Sequence, residues 1–321
     1  MPAPSQFNVA WYLANNLDVA AAGVDPYEHF LHSGIAEGRT TDTFNENSYL
    51  ARYPDVAAAV ARGDYATGWE HYVAWGSAEL RDASGPLYLQ GASAADALSA
   101  AGTSKGATIR GFGGADTLTG SMGADLIYGN QNLDYLYGGY GDDTIYGGQN
   151  DGPAGSDGIQ RQGAETIVGG QGRDLIYGNF GADRIDLSDS EYSDTVYGGQ
   201  DNDTIVGVMN GDMVYGNLGD DRIEMSYLAG QATLYGGGGA DIVEPIGRPF
   251  DLYWKDFNPE EGDRISASRL VFYRDNFGSY DQFLSFDPDR QYLYFYDPII
   301  RGGFGIYVGR SDFSEDWFVG L

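Results

Sequence analysis

A nine-residue period runs through this chain from Gly111 to Glu244, and no other feature restricts the fold as much. Gly111-Phe-Gly-Gly-Ala-Asp116-Thr-Leu118-Thr leads into Gly120-Ser-Met-Gly-Ala-Asp125-Leu-Ile127-Tyr. Gly138-Gly-Tyr-Gly-Asp-Asp143-Thr-Ile145-Tyr repeats the pattern. A period this short, with a fixed aliphatic, is the signature of a solenoid. Thirteen turns align on the eighth slot, which is always Leu, Ile or Val, so that slot faces inward. The sixth slot is Asp in eleven turns, Glu165 in one and Ala232 in one. Three turns are stretched. An insertion fills roughly 150 to 161, and the turns starting at Leu187 and Met225 are eleven residues long.

The spacing dictates the local structure. Each nonad is a glycine-rich turn followed by a short strand with one aliphatic pointing inward. Two nonads make one coil, so turns of one parity stack on the same edge at roughly the 4.7–4.9 Å separation of strands. One edge then carries Asp125, Asp143, Asp174, Asp194, Asp212 and Ala232, and the other Asp116, Asp134, Glu165, Asp183, Asp203, Asp221 and Asp241. Turn carbonyls and carboxylates from adjacent rungs line rows of oxygen cages, and calcium takes 6–8 such oxygens. The candidate ligands are Asp116, Asp125, Asp134, Asp143, Asp174, Asp183, Asp203, Asp221 and Asp241. The best-formed turns place ions between Asp125 and Asp143, Asp143 and Asp174, Asp203 and Asp221, and Asp221 and Asp241. After Asp174 the first edge loses its glycines at Leu187-Ser-Asp-Ser, and Ala232 cannot ligate.

These nonapeptides resemble those of the RTX (repeats-in-toxin) family, whose repeats form a calcium-loaded parallel β-roll. The segment Asp256-Phe-Asn-Pro-Glu-Glu-Gly-Asp263 is similar to the one that closes many such rolls, and the acidic, apolar tail Asp312–Leu321 resembles a type I export signal. The resemblance implies several bound Ca2+ ions and export by a type I system.

Residues 7–81 hold a longer repeat. Tyr12-Leu-Ala-Asn-Asn-Leu-Asp18-Val returns as Tyr49-Leu-Ala-Arg-Tyr-Pro-Asp55-Val, and Tyr27-Glu-His29-Phe returns as Trp69-Glu-His71-Tyr. The alanine runs favour helix, with Asp18 and Asp55 at the expected N-caps. The module resembles Tyr-Leu-Ala-x-x-Pro-Asp-Val repeats found beside bacterial surface-layer, RTX and some glycan-processing domains. His29 and His71 read as packing or hydrogen-bonding residues, since His32 has no counterpart to complete a metal site. The Trp and Tyr side chains either hold a surface polysaccharide or form the module's core.

Residues 82–110 scan as a degenerate coil, with Asp96 and Leu98 in the sixth and eighth slots and Leu89 and Ile109 near inward positions. Beyond 244, Phe283–Phe286 and Gln291–Tyr296 flank Asp287-Pro-Asp-Arg290, a hairpin signal. The fold class expected is mainly β: a calcium-loaded parallel β-roll solenoid (82–244) between a small N-terminal helical module (1–81) and a C-terminal β cap (245–321) that carries the export signal. The outward ninth slot is rich in tyrosine, at 128, 137, 146, 177, 197, 215 and 235. Such ladders support a sheet or meet a neighbour or a glycan.

A net charge of −29 speaks against nucleic acid, whose binding needs an excess of Lys and Arg. The absence of cysteine leaves metal to supply rigidity outside the cell. Met1-Pro-Ala-Pro-Ser-Gln-Phe7 has neither the basic start nor the apolar run expected of a signal peptide, and no run approaches the ~20 apolar residues of a membrane span. Gly102-Thr-Ser104-Lys-Gly106 matches the hydrolase elbow in form, but all three histidines lie upstream. The sequence therefore predicts a non-enzymatic, secreted calcium-binding structural protein of the cell surface. It would fold on binding calcium and associate with copies of itself into a surface layer, sheet or filament. The alternative is a glycan-binding adhesin or accessory module of a polysaccharide-modifying system.

Overall fold

The inward aliphatics build two parallel ladders, and the sheets follow from them. A computed structural model describes residues 4, 6–41, 44–79, 86–148, 164–226, 231–245, 251–266, 284–297, 302–312 and 314–319. The insertion near 150–161, Arg81 at the end of the second helical copy, Phe250 and Phe283 lie outside the described residues.

Strands alternate between two sheets, as a two-nonad coil requires. One face runs Leu87–Gln90, Ala107–Gly113, Leu126–Gln131, Thr144–Gly148, Leu175–Phe180, Thr195–Gln200, Met213–Leu218 and Ala232–Gly238. The opposite face runs Ala97–Ser99, Thr117–Thr119, Tyr135–Tyr140, Thr166–Gln171, Arg184–Asp186, Thr204–Val208, Arg222–Met225 and Ile242–Glu244. Neighbours on each face are parallel and in register, with Ile127 against Ile145, Ile145 against Ile176 and Ile176 against Val196. On the opposite face Leu136 meets Ile167, which meets Ile185, which meets Ile205. These side chains have no solvent exposure, and each contributes about 1.5–3 kcal/mol by burial. Turns approach just as closely. Gly141 has φ +110°, and a Cβ there would lie 2.6 Å from the Gly123 carbonyl carbon.

The degenerate coil is present: Leu87–Gln90 and Ala97–Ser99 pair with the first regular strands, and Leu89 and Leu98 are buried. The parallel sheets also outrun the nonapeptide register. Asp251–Trp254 pairs with Ala232–Gly238, and Arg264–Ser266 pairs with Ile242–Glu244, which adds a further coil with Trp254 and Ile265 inward. Gly302–Tyr307 and Phe318–Val319 then extend the two faces. The hairpin signal resolves as antiparallel Leu284–Asp287 and Tyr292–Asp297, and the latter pairs antiparallel with Gly302–Tyr307.

The helical module packs around Trp69, which meets Phe7 and Phe30 of the first copy and Phe44 and Tyr72 of the second. The copies repeat one polar contact: Tyr12 Oη with His29 Nδ1 at 3.1 Å, and Tyr49 Oη with His71 Nδ1 at 3.0 Å. Both histidines are therefore occupied by hydrogen bonds. Asp18 and Asp55 are not the N-caps, because Leu17 and Pro54 already lie within their helices. The side-chain caps are Asn8, Asp25, Asn45 and Thr67. Asp18 instead accepts two hydrogen bonds from the buried Arg39 guanidinium. The module sits on the open first coil. Gln90 N–H donates to the Asn15 carbonyl, Tyr88 N–H to Thr40 Oγ1, and Asn45 Nδ2 to the Pro86 carbonyl, while Trp11 and Leu17 pack against the roll's core.

Candidate metal centre: the carboxylate columns

The turn that starts each strand aims its sixth-slot carboxylate between rungs. All nine candidate ligands are buried, and so are Glu165, Asp194, Asp212 and Asp263. On each edge they form a column with one repeating contact, in which the backbone N–H of one rung donates to Oδ1 of the next. Asp125 donates to Asp143 at 2.8 Å, Asp143 to Asp174 at 2.9 Å, and Asp174 to Asp194 at 2.8 Å. On the other edge Asp183 donates to Asp203, Asp203 to Asp221, and Asp221 to Asp241. The expected neighbours are thus adjacent in space: Asp125 with Asp143, Asp143 with Asp174, Asp203 with Asp221 and Asp221 with Asp241.

The second oxygen of each carboxylate decides what the columns can do. Oδ2 of Asp116, Asp134, Asp143, Asp174, Asp183, Asp194, Asp203, Asp221 and Asp241 is buried and accepts no hydrogen bond. A buried polar atom without a partner costs about 1–3 kcal/mol, and more when charged, so nine in register call for a ligand. All of these except Asp194 face a gap that a glycine keeps open. A Cβ on Gly129 would lie 2.6 Å from Asp134 Oδ2 and 2.8 Å from the Gly147 carbonyl oxygen of the next rung. Gly111, Gly138, Gly198 and Gly216 repeat this convergence of a carboxylate and a carbonyl. Hard oxygen donors of both kinds suit calcium, which accepts carboxylates and backbone carbonyls in flexible geometry. Among the described residues no three acidic or histidine side chains converge on one point, so the cages must draw on the backbone.

Electrostatics agrees with this arrangement. Burial pushes Asp143, Asp194 and Asp203 up to about 8, with neighbouring carboxylates adding to the effect. It pushes Asp134 and Asp241 to about 7 and Asp116, Asp174 and Asp221 to about 6. Burial raises Asp183 most steeply, and the adjoining Glu165 carboxylate adds to it. A cation between rungs removes the cause by replacing lost water and offsetting like charge.

Two positions stand out from the sequence pattern in their hydrogen bonding. Both oxygens of Asp125 are already engaged, since Ser121 N–H donates to Oδ2 while Ser121 Oγ and Ala107 N–H donate to Oδ1. Ser121, which stands where Gly139, Gly170, Gly199 and Gly237 stand in their turns, supplies two of those donors. Asp194, which the degraded turn before it had discounted, carries the same partnerless oxygen as the best-formed turns. Its place in the sixth slot was the signal that identifies it. The first edge closes at Asp212, whose Oδ2 accepts from Met209 N–H. The long turns on either side of it are apolar, with Leu187, Val208, Met225 and Ala232 buried in the core. The other edge runs on to Asp263, which accepts from Asp241 N–H and Asn258 N–H.

Ser104 sits in the turn before Ala107–Gly113. A strand follows it rather than a helix, so the hydrolase elbow's context is missing.

A sequence model described as the RTX calcium-binding nonapeptide repeat (4 copies) matches residues 102–132, 119–152, 161–189, 188–223 and 230–244. No curated protein and no solved structure matches the chain.

Proposed function

Because the chain is an RTX β-roll protein whose repeats bind calcium, we propose that it is a secreted structural protein that folds when calcium fills its columns and assembles on the bacterial cell surface as a surface-layer or matrix subunit. The observation that carries this reading is the row of buried carboxylate oxygens without partners. A chain with so many desolvated acids is poorly stable without cations, and extracellular modules fill at about 10⁻⁴–10⁻³ M calcium. Folding and metal binding are then one event. RTX repeat proteins are typically secreted, and among the described residues no helix is long and apolar enough to cross a membrane.

Electron microscopy of the purified chain, paired with circular dichroism, tests the reading. Calcium should produce β structure together with ordered sheets or filaments, and a chelator should remove both. A chain that folds with calcium yet stays monomeric at every concentration keeps the calcium part and loses the assembly part.

A further inference from the structure

The two faces of the roll differ in kind. The face of Thr204–Val208 and its neighbours carries Arg184 paired with Asp186, and Arg222 paired with Glu224 and Glu244. The other face carries no outward charged side chain on its described strands between Tyr128 and Tyr235. Its ninth-slot row is an unbroken stack of Tyr128, Tyr146, Tyr177, Tyr197, Tyr215 and Tyr235, with centroids 4.8–5.0 Å apart and planes within 8°. Tyr137 stands apart on the charged face.

The rows beside the stack alternate with twice the rung period. On the loop side Asn130, Asn179 and Asn217 occupy every second rung, with Gly148, Gly199 and Gly237 between them. On the far side Leu126, Leu175 and Met213 alternate with Thr144, Thr195 and Thr233 in the same phase. Each asparagine's Nδ2 donates to the carbonyl of the tyrosine two residues back, at 3.3–3.4 Å, which leaves Oδ1 as an acceptor. A groove of about 470 Å³ lies over Gly199 beside Tyr177 and Tyr197, walled by Asn179 and Asn217 and flanked by Phe180, Gln200 and Leu218. Leu218 is 58% exposed.

We propose that this groove is a subsite for one neutral sugar ring of an extended polysaccharide lying along the tyrosine stack. The absence of charge selects an uncharged partner. Amides beside an aromatic ring and an aliphatic match a ligand that is hydroxylated at its rim and apolar on its ring faces. The two-rung alternation suits a straight chain whose alternate residues are equivalent, as in β-1,4-linked glucan or chitin. The stacked tyrosines hide their ring faces in one another and offer edges and hydroxyls, so Phe180 and Leu218 supply the apolar contact. This inference is independent of assembly, although it needs the folded roll.

The test is retention of the calcium-loaded full chain on insoluble cellulose and chitin, and in gels containing hydroxyethyl cellulose or the polyanion alginate. Retention by a neutral polymer and not by alginate is expected. The double variant Phe180→Ser/Leu218→Ser and the single variant Gln200→Asp should each weaken it about tenfold or more, with calcium-dependent circular dichroism and melting unchanged. No retention on any neutral polymer overturns the proposal, as does full retention by both variants. Self-association in the ultracentrifuge that these variants abolish overturns it too, because the face would then belong to a second copy. A failure to fold with calcium would instead strike the reading above.

Discussion

Asp221 shows what a single carboxylate does in this molecule. Its Oδ1 holds the Asp203 N–H, its own N–H reaches Asp241, and its Oδ2 is left for a cation. Asp221→Ala removes an acceptor and a ligand together. It should cost about 1–3 kcal/mol for the stranded N–H alone, and more in calcium, which thermal melts with and without the ion separate. Asp125→Ala should behave differently. With both oxygens held by Ser121 and Ala107, its loss should lower the melting temperature with little change in bound calcium, which titration calorimetry counts. This distinction was not legible in the sequence, where both are sixth-slot aspartates. It depends on the serine in the second slot, whose N–H takes Oδ2, because both aspartates accept on Oδ1 from a backbone N–H eighteen residues earlier. Asp194 shows the opposite case: its turn lacks the glycines of the regular repeats, yet its Oδ2 is left buried and without a hydrogen bond as theirs are.

Among the elements, the tyrosine stack and the aliphatic ladder behind it share the load. Tyr177 stacks on both Tyr146 and Tyr197. At about 0.5–1.5 kcal/mol per aromatic pair, Tyr177→Ala should cost about 1–3 kcal/mol. Ile176→Ala, one residue away and wholly buried, should cost about 2–5 kcal/mol. Denaturant melts in saturating calcium compare the two. One end of the stack is finished by a cation, Arg110 lying over Tyr88 and Tyr128, and in the coil beyond the other end Lys255 lies over Tyr253 and Tyr307, a row aside from the stack. Much of this was readable in advance, because a fixed period determines which residues face in and which faces they share. The ends were harder to read. The sequence from Phe250 to Ile265 reads as a strand, a turn and another strand, and Asp251–Trp254 and Arg264–Ser266 are those strands, but no glycine pattern announces that they continue the parallel sheets. The docking of Asn15, Thr40 and Asn45 onto the first coil uses contacts that no periodicity encodes.

At the scale of the whole molecule, the raised carboxylates set the response to pH. Without metal, Asp143, Asp194 and Asp203 bind protons up to about pH 8 in the folded state, against about 3.9 in an unfolded chain. Between those values the folded state holds more protons, so its ion-free stability falls as pH rises through the window. Calcium needs the deprotonated groups, so the loaded protein should gain stability over the same range. Melts in chelator and in calcium at pH 5 and pH 8 should therefore slope in opposite directions, and parallel slopes would remove the columns from the account of stability. The hydrogen bonds inside those columns also have a sense. From Asp183 through Asp203, Asp221 and Asp241 to Asp263, each sixth-slot N–H leans on the sixth-slot carboxylate of the rung that follows it in the chain. Asp263, anchored by the Asn258 amide, terminates one of these lines. The stack is thus a zipper with its slider at the carboxyl end. Cutting away the final coil should loosen successive rungs from that end, whereas shortening the opposite end removes one tooth and leaves the rest engaged.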